Sequence, residues 1–309
     1  MTDTIDRVHH VGHVVPDIGA AADRYRRMGF RVPPPSFPVL PAAGGPARAV
    51  GAGNTHLAFR RNFVELVTVL DGADAPAGQL VALDVPAAAR ERVAASIAAT
   101  TARVRAALDR FAGLHILVLA TSDADAAAAR LTGAGIGHGG VVRLTRPSPD
   151  GGAPVPVALL EVDAAASPEG RLAFAEELDE TGPEHPNGAL DLLGPVLCVP
   201  DAELDAHAGR YRRLLARPVR EVGPTRVLDL DAGRVVLVGD SALGAVLPGE
   251  RAPALPAFAA FAVRVRDLAS TRALLVGAGF GVRDTPDGAI LVPAAEAGGC
   301  AVVFTDRGH

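Results

Sequence analysis

Short apolar runs alternate along the chain with stretches that are apolar at helical spacing, and the alternation repeats. His10 to Val15 is an apolar run ending in Pro16-Asp17. Asp17 is placed to cap a helix over Ile18 to Met28, whose Ala-rich stretch closes at Gly29 before Phe30-Arg31-Val32. The same order recurs with strand His115 to Ala120, cap Asp123, helix Ala124 to Ala134 and exit Gly135-Ile136, and again with strand Phe261 to Val265, cap Asp267 and exit Gly279-Phe280. Cap and exit are twelve residues apart in all three. A further copy, Val196 to Asp201, shares the Val-Pro-Asp turn, and its Tyr211-Arg212-Arg213 echoes Tyr25-Arg26-Arg27, but its helix is longer and its exit lacks Gly.

After each helix come β-branched or alternating runs separated by turn residues. They are Thr55 to Phe59 and Phe63 to Leu70; Val141 to Thr145, Val155 to Val162 and Leu172 to Glu176; Arg226 to Leu230 and Arg234 to Val238; Ile290 to Val292 and Ala301 to Thr305. Each unit reads as βαβββ, giving an α+β fold of four modules. One such unit leaves a sheet face bare, so units must pair, and four units predict two paired domains, 1–182 and 189–309. Asp179 to Gly188, with Pro183 and Pro186, is the expected linker. Pro86 to Phe111 carries Val93, Ile97, Val104 and Leu108 at helical spacing, which predicts a helix joining the first two units.

Composition narrows the class of function. The 309 residues are 49% hydrophobic and 21% charged, which excludes disorder as the dominant state. All 30 basic residues are Arg, and the net charge of −5 is interspersed, so no electrostatic footprint for nucleic acid or an anionic membrane is present. No apolar run approaches a bilayer span, and the polar, acidic start Met1 to Asp6 is unlike a signal peptide, so a cytoplasmic location is expected. Cys198 and Cys300 lie far apart in apolar strands and read as buried thiols. Gly133-Ala134-Gly135-Ile136-Gly137 follows a helix where a dinucleotide fingerprint must precede one, so no nucleotide cofactor is indicated.

Four βαβββ units with a His opening the first strand and a carboxylate in the last resemble the vicinal oxygen chelate superfamily, the glyoxalase, bleomycin-resistance and extradiol dioxygenase group. His10-Val11-Gly12, Gly53-Asn54-Thr55-His56, Phe63-Val64-Glu65-Leu66 and His185-Pro186-Asn187-Gly188-Ala189 are similar to its glyoxalase-like branch. The resemblance implies a cup of curved sheet with a metal at its base, held by the first and last strands of paired units. His10, seven residues before Asp17, and Glu65 would be the ligands of unit one; His115 and Glu176 would be those of unit two, since Phe174-Ala175-Glu176 repeats Phe63-Val64-Glu65. Such a set suits a divalent Zn, Ni, Mn, Co or Fe, leaves positions for two substrate oxygens, and makes Glu65 or Glu176 a candidate general base. His115 stands eight residues before Asp123, so either a bulge intervenes or the match fails. His9, on the opposite face, and Glu177 are the neighbouring competitors.

Asn54, His56, Ala58 and Arg60 share one strand face; Asn54 and His56 could hydrogen-bond a substrate oxygen, and Arg60 could pair with an anion. His13 reads as a buried neutral histidine, His138 as a loop residue and His185 as part of the interdomain turn. The second pair of units carries Gly194 and Ala260 at the His10 position and no carboxylate in its last strands, so its metal site is absent. The expectation is a glyoxalase-like metalloenzyme of lyase or isomerase type that chelates a small oxygen-bearing substrate, with room for a homodimer. The alternatives are a metal-free sequestration protein of the resistance kind and an Fe(II)-dependent dioxygenase.

Overall fold

The computed structural model describes residues 5–40, 48–70, 78–83, 90–146, 155–176 and 182–307. Unit one comprises β1 (Ile5–Val14), α1 (Ile18–Arg27), β2 (Ser36–Leu40), β3 (Arg48–Ala49), β4 (Ala52–Ala58), β5 (Phe63–Val69) and β6 (Gln79–Ala82). Helix α2 (Arg90–Arg110) leads to unit two: β7 (Gly113–Thr121), α3 (Ala124–Gly133), β8 (His138–Arg146), β9 (Val155–Val162) and β10 (Arg171–Glu176). Unit three has β11 (Ala189–Val199), α4 (Leu204–Leu215), β12 (Arg220–Val222), β13 (Thr225–Leu230), β14 (Gly233–Gly239) and α5 (Asp240–Val246). Unit four has β15 (Ala257–Val265), α6 (Leu268–Gly277), β16 (Arg283–Asp284), β17 (Ile290–Val292), α7 (Ala294–Ala297) and β18 (Ala301–Thr305). Glu177, residues 179–181 of the expected linker and 86–89 of the expected joining helix lie outside the described residues.

The repeated caps act as the spacing predicts. Asp17, Asp123 and Asp267 are extended, and their side chains accept the N–H of Ala20, Ala126 and Ser270. The three helices end before Gly29, Gly135 and Gly279, at φ of 84°, 68° and 86°, a conformation in which a Cβ would be strained. The longer α4 ends instead on left-handed Ala216, which explains the missing exit Gly. In α1, Ile18, Ala21, Ala22 and Tyr25 form the buried stripe at helical spacing.

Units pair through their first strands. β4, β5, β1, β7, β10, β9 and β8 are neighbours in that order, with β1 antiparallel to β7 and parallel to β5, and β7 parallel to β10. Units three and four repeat this through β11 and β15, and the two halves of the sheet meet where Phe258 on β15 bridges Leu114 on β7. The convex faces and the helices share one large core that includes Tyr25, Phe37, Phe174, Tyr211 and Phe261. Cys198 and Cys300 are buried free thiols. Among the described residues no helix is long and apolar enough to cross a membrane.

The two concave faces differ. In the second half the cup is filled: Val196, Val236, Ala262 and Val303 pack under Leu243 of α5 and Leu247. In the first half α2 lies across the concave face, with Val104 buried on Val14, Val67, Ile116, Val118, Ala173 and Ala175, and leaves the end of the cup near His10 uncovered by that cluster. Of the four apolar positions that predict α2, only Val104 is buried.

Candidate functional site

The uncovered end of the first cup holds a polar cluster from three adjacent strands. Period-two alternation turns Asn54 and His56 of β4, Glu65 of β5 and His10 of β1 to the concave side, while Thr55, Leu57, Val64, Leu66 and Val11 are buried on the other face. Glu65 lies opposite His56 on β4 and opposite Gly12 on β1, and Phe63 lies opposite His10. The phenyl ring of Phe63 stacks on the His10 imidazole at 4.4 Å between centroids and leans against His56 at 4.7 Å.

Two imidazoles face one carboxylate. His10 Nε2 is 3.9 Å from Glu65 Oε2 and His56 Nε2 is 3.8 Å from Oε1, both beyond hydrogen-bond length. Asn54 Nδ2 donates to Glu65 Oε1 at 2.9 Å. Burial pushes the His10 imidazole down to about 3 against the pull of Glu65, so it is neutral at physiological pH. Burial alone would raise the Glu65 carboxyl, but the His56 and His10 rings and the Asn54 amide bring it down to about 2, so it is ionised. His56 is the opening: its side chain is 44% exposed, against 13% for His10, and it borders a hollow of about 450 Å³ with Phe30, Val32 and Pro183.

His9 joins the cluster, against the expectation that it faces away. The β1–β7 register shifts between Val8 and His10, and this bulge brings His9 Nδ1 to 2.8 Å from His10 Nδ1. With the shared proton on His10, its Nδ1–H donates to His9 and the Nε2 lone pair is left facing Glu65.

The unit-two residues expected as ligands stand elsewhere. His115 Nε2–H donates to the Phe111 carbonyl at 2.8 Å, and Phe111 packs on its ring. Glu176 Oε2 accepts the N–H of Ala124, at the start of α3. Strand register gives the reason. Counted from the caps, Gly12 corresponds to Val118, and their partners on the last strands are Glu65 and Ala173. The unit-two equivalents of His10 and Glu65 are therefore Ile116 and Ala173, both apolar and under α2. A one-residue offset turns His115 to the other face, and three residues separate Glu176 from the matching site. Arg60 is exposed at the β4–β5 turn and lines a separate small hollow with Phe59 and Arg266.

The other histidines have structural partners. His13 is fully buried between Tyr25 Oη and the Gly298 carbonyl. His138 is tied to Thr132 and to the Ala128 carbonyl. His185 accepts the Arg31 N–H and donates to the Ala58 carbonyl. Two charged residues that sequence reading did not single out, Arg171 of β10 and Glu161 of β9, face the same cup; the signal was their period-two spacing from Ala173 and Leu159.

Among the described residues no group of three or more His, Cys, Asp or Glu stands around a point that could hold an ion. The donor chemistry of His10, His56 and Glu65 nevertheless suits a divalent metal: two imidazoles, one already neutral, and an ionised carboxylate oriented by Asn54. Ligand atoms about 2.1 Å from an ion lie about 3.0 to 3.4 Å apart, so the two gaps would close by roughly half to one ångström around it.

The family model described as "Glyoxalase-like domain" matches residues 8–215. No curated protein matches the sequence. Among solved structures, the chain is similar over 99% of its length to 95% of a mutant 4-hydroxymandelate synthase from Streptomyces coelicolor, at 14% identity and a TM-score of 0.59. It is similar to a hypothetical protein from Staphylococcus aureus, at 10% identity and 0.58 over 99% of both chains. It is also similar to a Mn(II)-bound glyoxalase from Novosphingobium aromaticivorans, at 11% identity and 0.56 over 98% of this chain and 82% of that one. At these identities the likeness to the solved structures concerns the fold, that of paired vicinal oxygen chelate modules.

Proposed function

The chain belongs to the glyoxalase-like domain family, and from that premise we propose that it is a metal-dependent enzyme acting on a small oxygen-bearing organic substrate at the His10–His56–Glu65 cluster. The observation that carries this reading is the convergence of two imidazoles, neither hydrogen-bonded to it, on one ionised carboxylate. His10, His56 and Glu65 would hold the ion, all from unit one, in place of a set split between two units. When bound, a divalent ion supplies Lewis-acid polarisation of the substrate's oxygens.

The chain's own residues do the rest. His9 and Phe63 fix the His10 ring from its edge and its face, and Asn54 holds one oxygen of Glu65. Glu65, ionised and sheltered, would accept a proton from the substrate. Proton abstraction next to a carbonyl, the step common to isomerases and lyases, matches this arrangement.

The test is metal uptake by the purified full chain, followed by Mn(II) electron paramagnetic resonance and by competition with Zn(II), Ni(II) and Fe(II). One ion per chain is expected, with affinity lowered by about 100-fold or more in Glu65→Gln and His10→Ala. The 3.8 and 3.9 Å gaps favour one other reading, a metal-free cup that binds and sequesters a small molecule, and a chain that takes up no metal would select it. Iron uptake with oxygen consumption would point to dioxygenase chemistry instead.

A further inference from the structure

We propose that the hollow beside His56 binds a small amphipathic organic anion, whose apolar body rests on the walls and whose carboxylate is taken by Arg31; this names a substrate class for the site proposed above and rests on His56 belonging to it. The sequence creates the hollow. β2 runs antiparallel to β4 and pairs with it at Ser36 and Asn54. Continued, that ladder would set Pro34 against His56 and Val32 against Ala58, but residues 33–35 are all Pro and have no N–H to donate. The pairing stops there. A space of about 450 Å³ opens along that edge of β4, bounded by Phe30, Val32, Pro33, His56, Ala58 and Pro183. All of these but His56 are apolar, so the walls suit an apolar body that reaches from the His56 imidazole outward.

Two arginines complete the lining, and they differ. The Arg26 guanidinium is occupied by the wall itself: it donates to Asp23 at 2.7 Å and to the Val32 and Pro33 carbonyls at 3.0 and 3.3 Å. Arg31 is held in place with its terminal donors left over. Its main-chain N–H donates to His185 Nδ1 at 2.9 Å and its Nε to the Glu184 carbonyl at 2.7 Å, while His185 Nε2 donates to the Ala58 carbonyl of β4 at 3.0 Å. Two consecutive residues thus anchor Arg31 and tie it to the opposite wall. Its Nη1 and Nη2 make no hydrogen bond among the described residues, and such a fork matches the two oxygens of a carboxylate. Charge agrees. Asp23 offsets Arg26, and Glu184 offsets Arg266, whereas Arg31 and Arg60 meet no carboxylate among the described residues. Pro183 lines both this hollow and the smaller one at Arg60, so a chain of net charge −5 sets two uncompensated cations on either side of one residue. With His56 at one part of the hollow and Arg31 at another, the carboxylate of the ligand lies at the end remote from the reacting oxygens.

The probes are 4-phenylbutyrate and 4-phenylbutyramide, which share an apolar body and differ in charge. Binding to the purified full chain, with and without Mn(II), is followed by ligand-detected NMR. The acid is expected to bind about fivefold or more tighter than the amide. Arg31→Gln should bring the two within about twofold, and Arg60→Gln, which removes the neighbouring unpaired charge, should keep the preference. Ala58→Leu, which fills part of the hollow, should weaken both ligands by about fivefold or more in a chain whose thermal unfolding is unchanged. A wild-type chain that binds the acid no better than the amide, a preference that survives Arg31→Gln, its equal loss in Arg60→Gln, or unchanged binding in Ala58→Leu would each overturn the assignment. Where Mn(II) is taken up, the phenyl protons of the bound acid should broaden more than the methylene beside its carboxylate, and the reverse order would put the anion on the metal and overturn it as well. Failure of the metal site shows separately, as absence of Mn(II) uptake without any probe, and the acid-over-amide comparison on the metal-free chain still reads Arg31.

Discussion

Acidification should destabilise the protein in a way that isolates one buried histidine. His13 is fully buried, and its partners settle its tautomer: the Gly298 carbonyl can only accept, at 2.9 Å, so Nε2 carries the proton and Nδ1 accepts from Tyr25 Oη at 2.8 Å. A second proton, on Nδ1, would be a charge buried with no carboxylate partner and would force Tyr25 Oη to turn from donor to acceptor. Burial lowers the imidazole to about 4, the Gly298 bond opposes this, and Arg24 and His115 add to it. Because the folded value lies below the unfolded value of about 6.5, the unfolded chain binds more protons between these limits. The contribution of His13 is complete above about pH 6.5 and is lost as the pH falls through 4. At about 1.4 kcal/mol per pH unit the loss approaches roughly 3 kcal/mol. Urea unfolding of the wild type and of His13→Gln at pH 7.5, 6, 5 and 4.2 measures it. The other buried histidines are common to both chains, so the stability gap between them should shrink by most of that amount toward pH 4. A gap that stays constant with pH would refute the reasoning.

Two further substitutions test the assignments around the cup. Glu169 is fully buried and bonds Arg210 Nη2 and Tyr211 Oη, both at 2.6 Å, tying unit two to α4; Glu169→Ala leaves the guanidinium without its counter-ion and should cost about 3 to 5 kcal/mol in urea unfolding. Glu176→Ala removes the acceptor at the start of α3 and should cost about 0.5 to 1 kcal/mol while leaving Mn(II) uptake unchanged; a large loss of uptake would return Glu176 to the site.

Much of the fold is legible in the sequence because its punctuation is local. An Asp cap, a helix of fixed length and a Gly whose φ is positive are decided within about a dozen residues, and the strands follow from alternation between turns. The first half of the site is legible for the same reason: Asn54, His56 and Glu65 lie on one hairpin whose register is set by its tight turn. The second half is not, because β7 and β10 are separated by residues 122–170 and their register is a tertiary property. The repeated Phe-x-Glu wording selects Glu176, while the pairing of Val118 with Ala173 places the equivalent position three residues earlier. The bulge that turns His9 toward His10 is likewise invisible to a count of alternating faces.

Register also bears on why one cup in the molecule is chemically equipped. The positions equivalent to Glu65 are Ala173, Val236 and Val303, and those equivalent to His10 are Ile116, Gly194 and Ala260. At Gly194 no His could stand, since a Cβ would lie 1.9 Å from the Arg234 carbonyl oxygen. Val236 and Val303 form part of the packing beneath α5, where an ionised carboxylate would lose its hydration with no cation to pair with. Four modules with the same backbone thus divide the tasks: units three and four give up polar interiors for a solid core, unit two gives α2 an apolar seat, and unit one alone keeps the imidazoles and the carboxylate. His56, whose unit-two counterpart by register is Glu161, stands beside them on β4. If the site were still split between units, Glu176 and His115 would have to reach it. The bonds of Glu176 to α3 and of His115 to Phe111 hold both away from His10, His56 and Glu65.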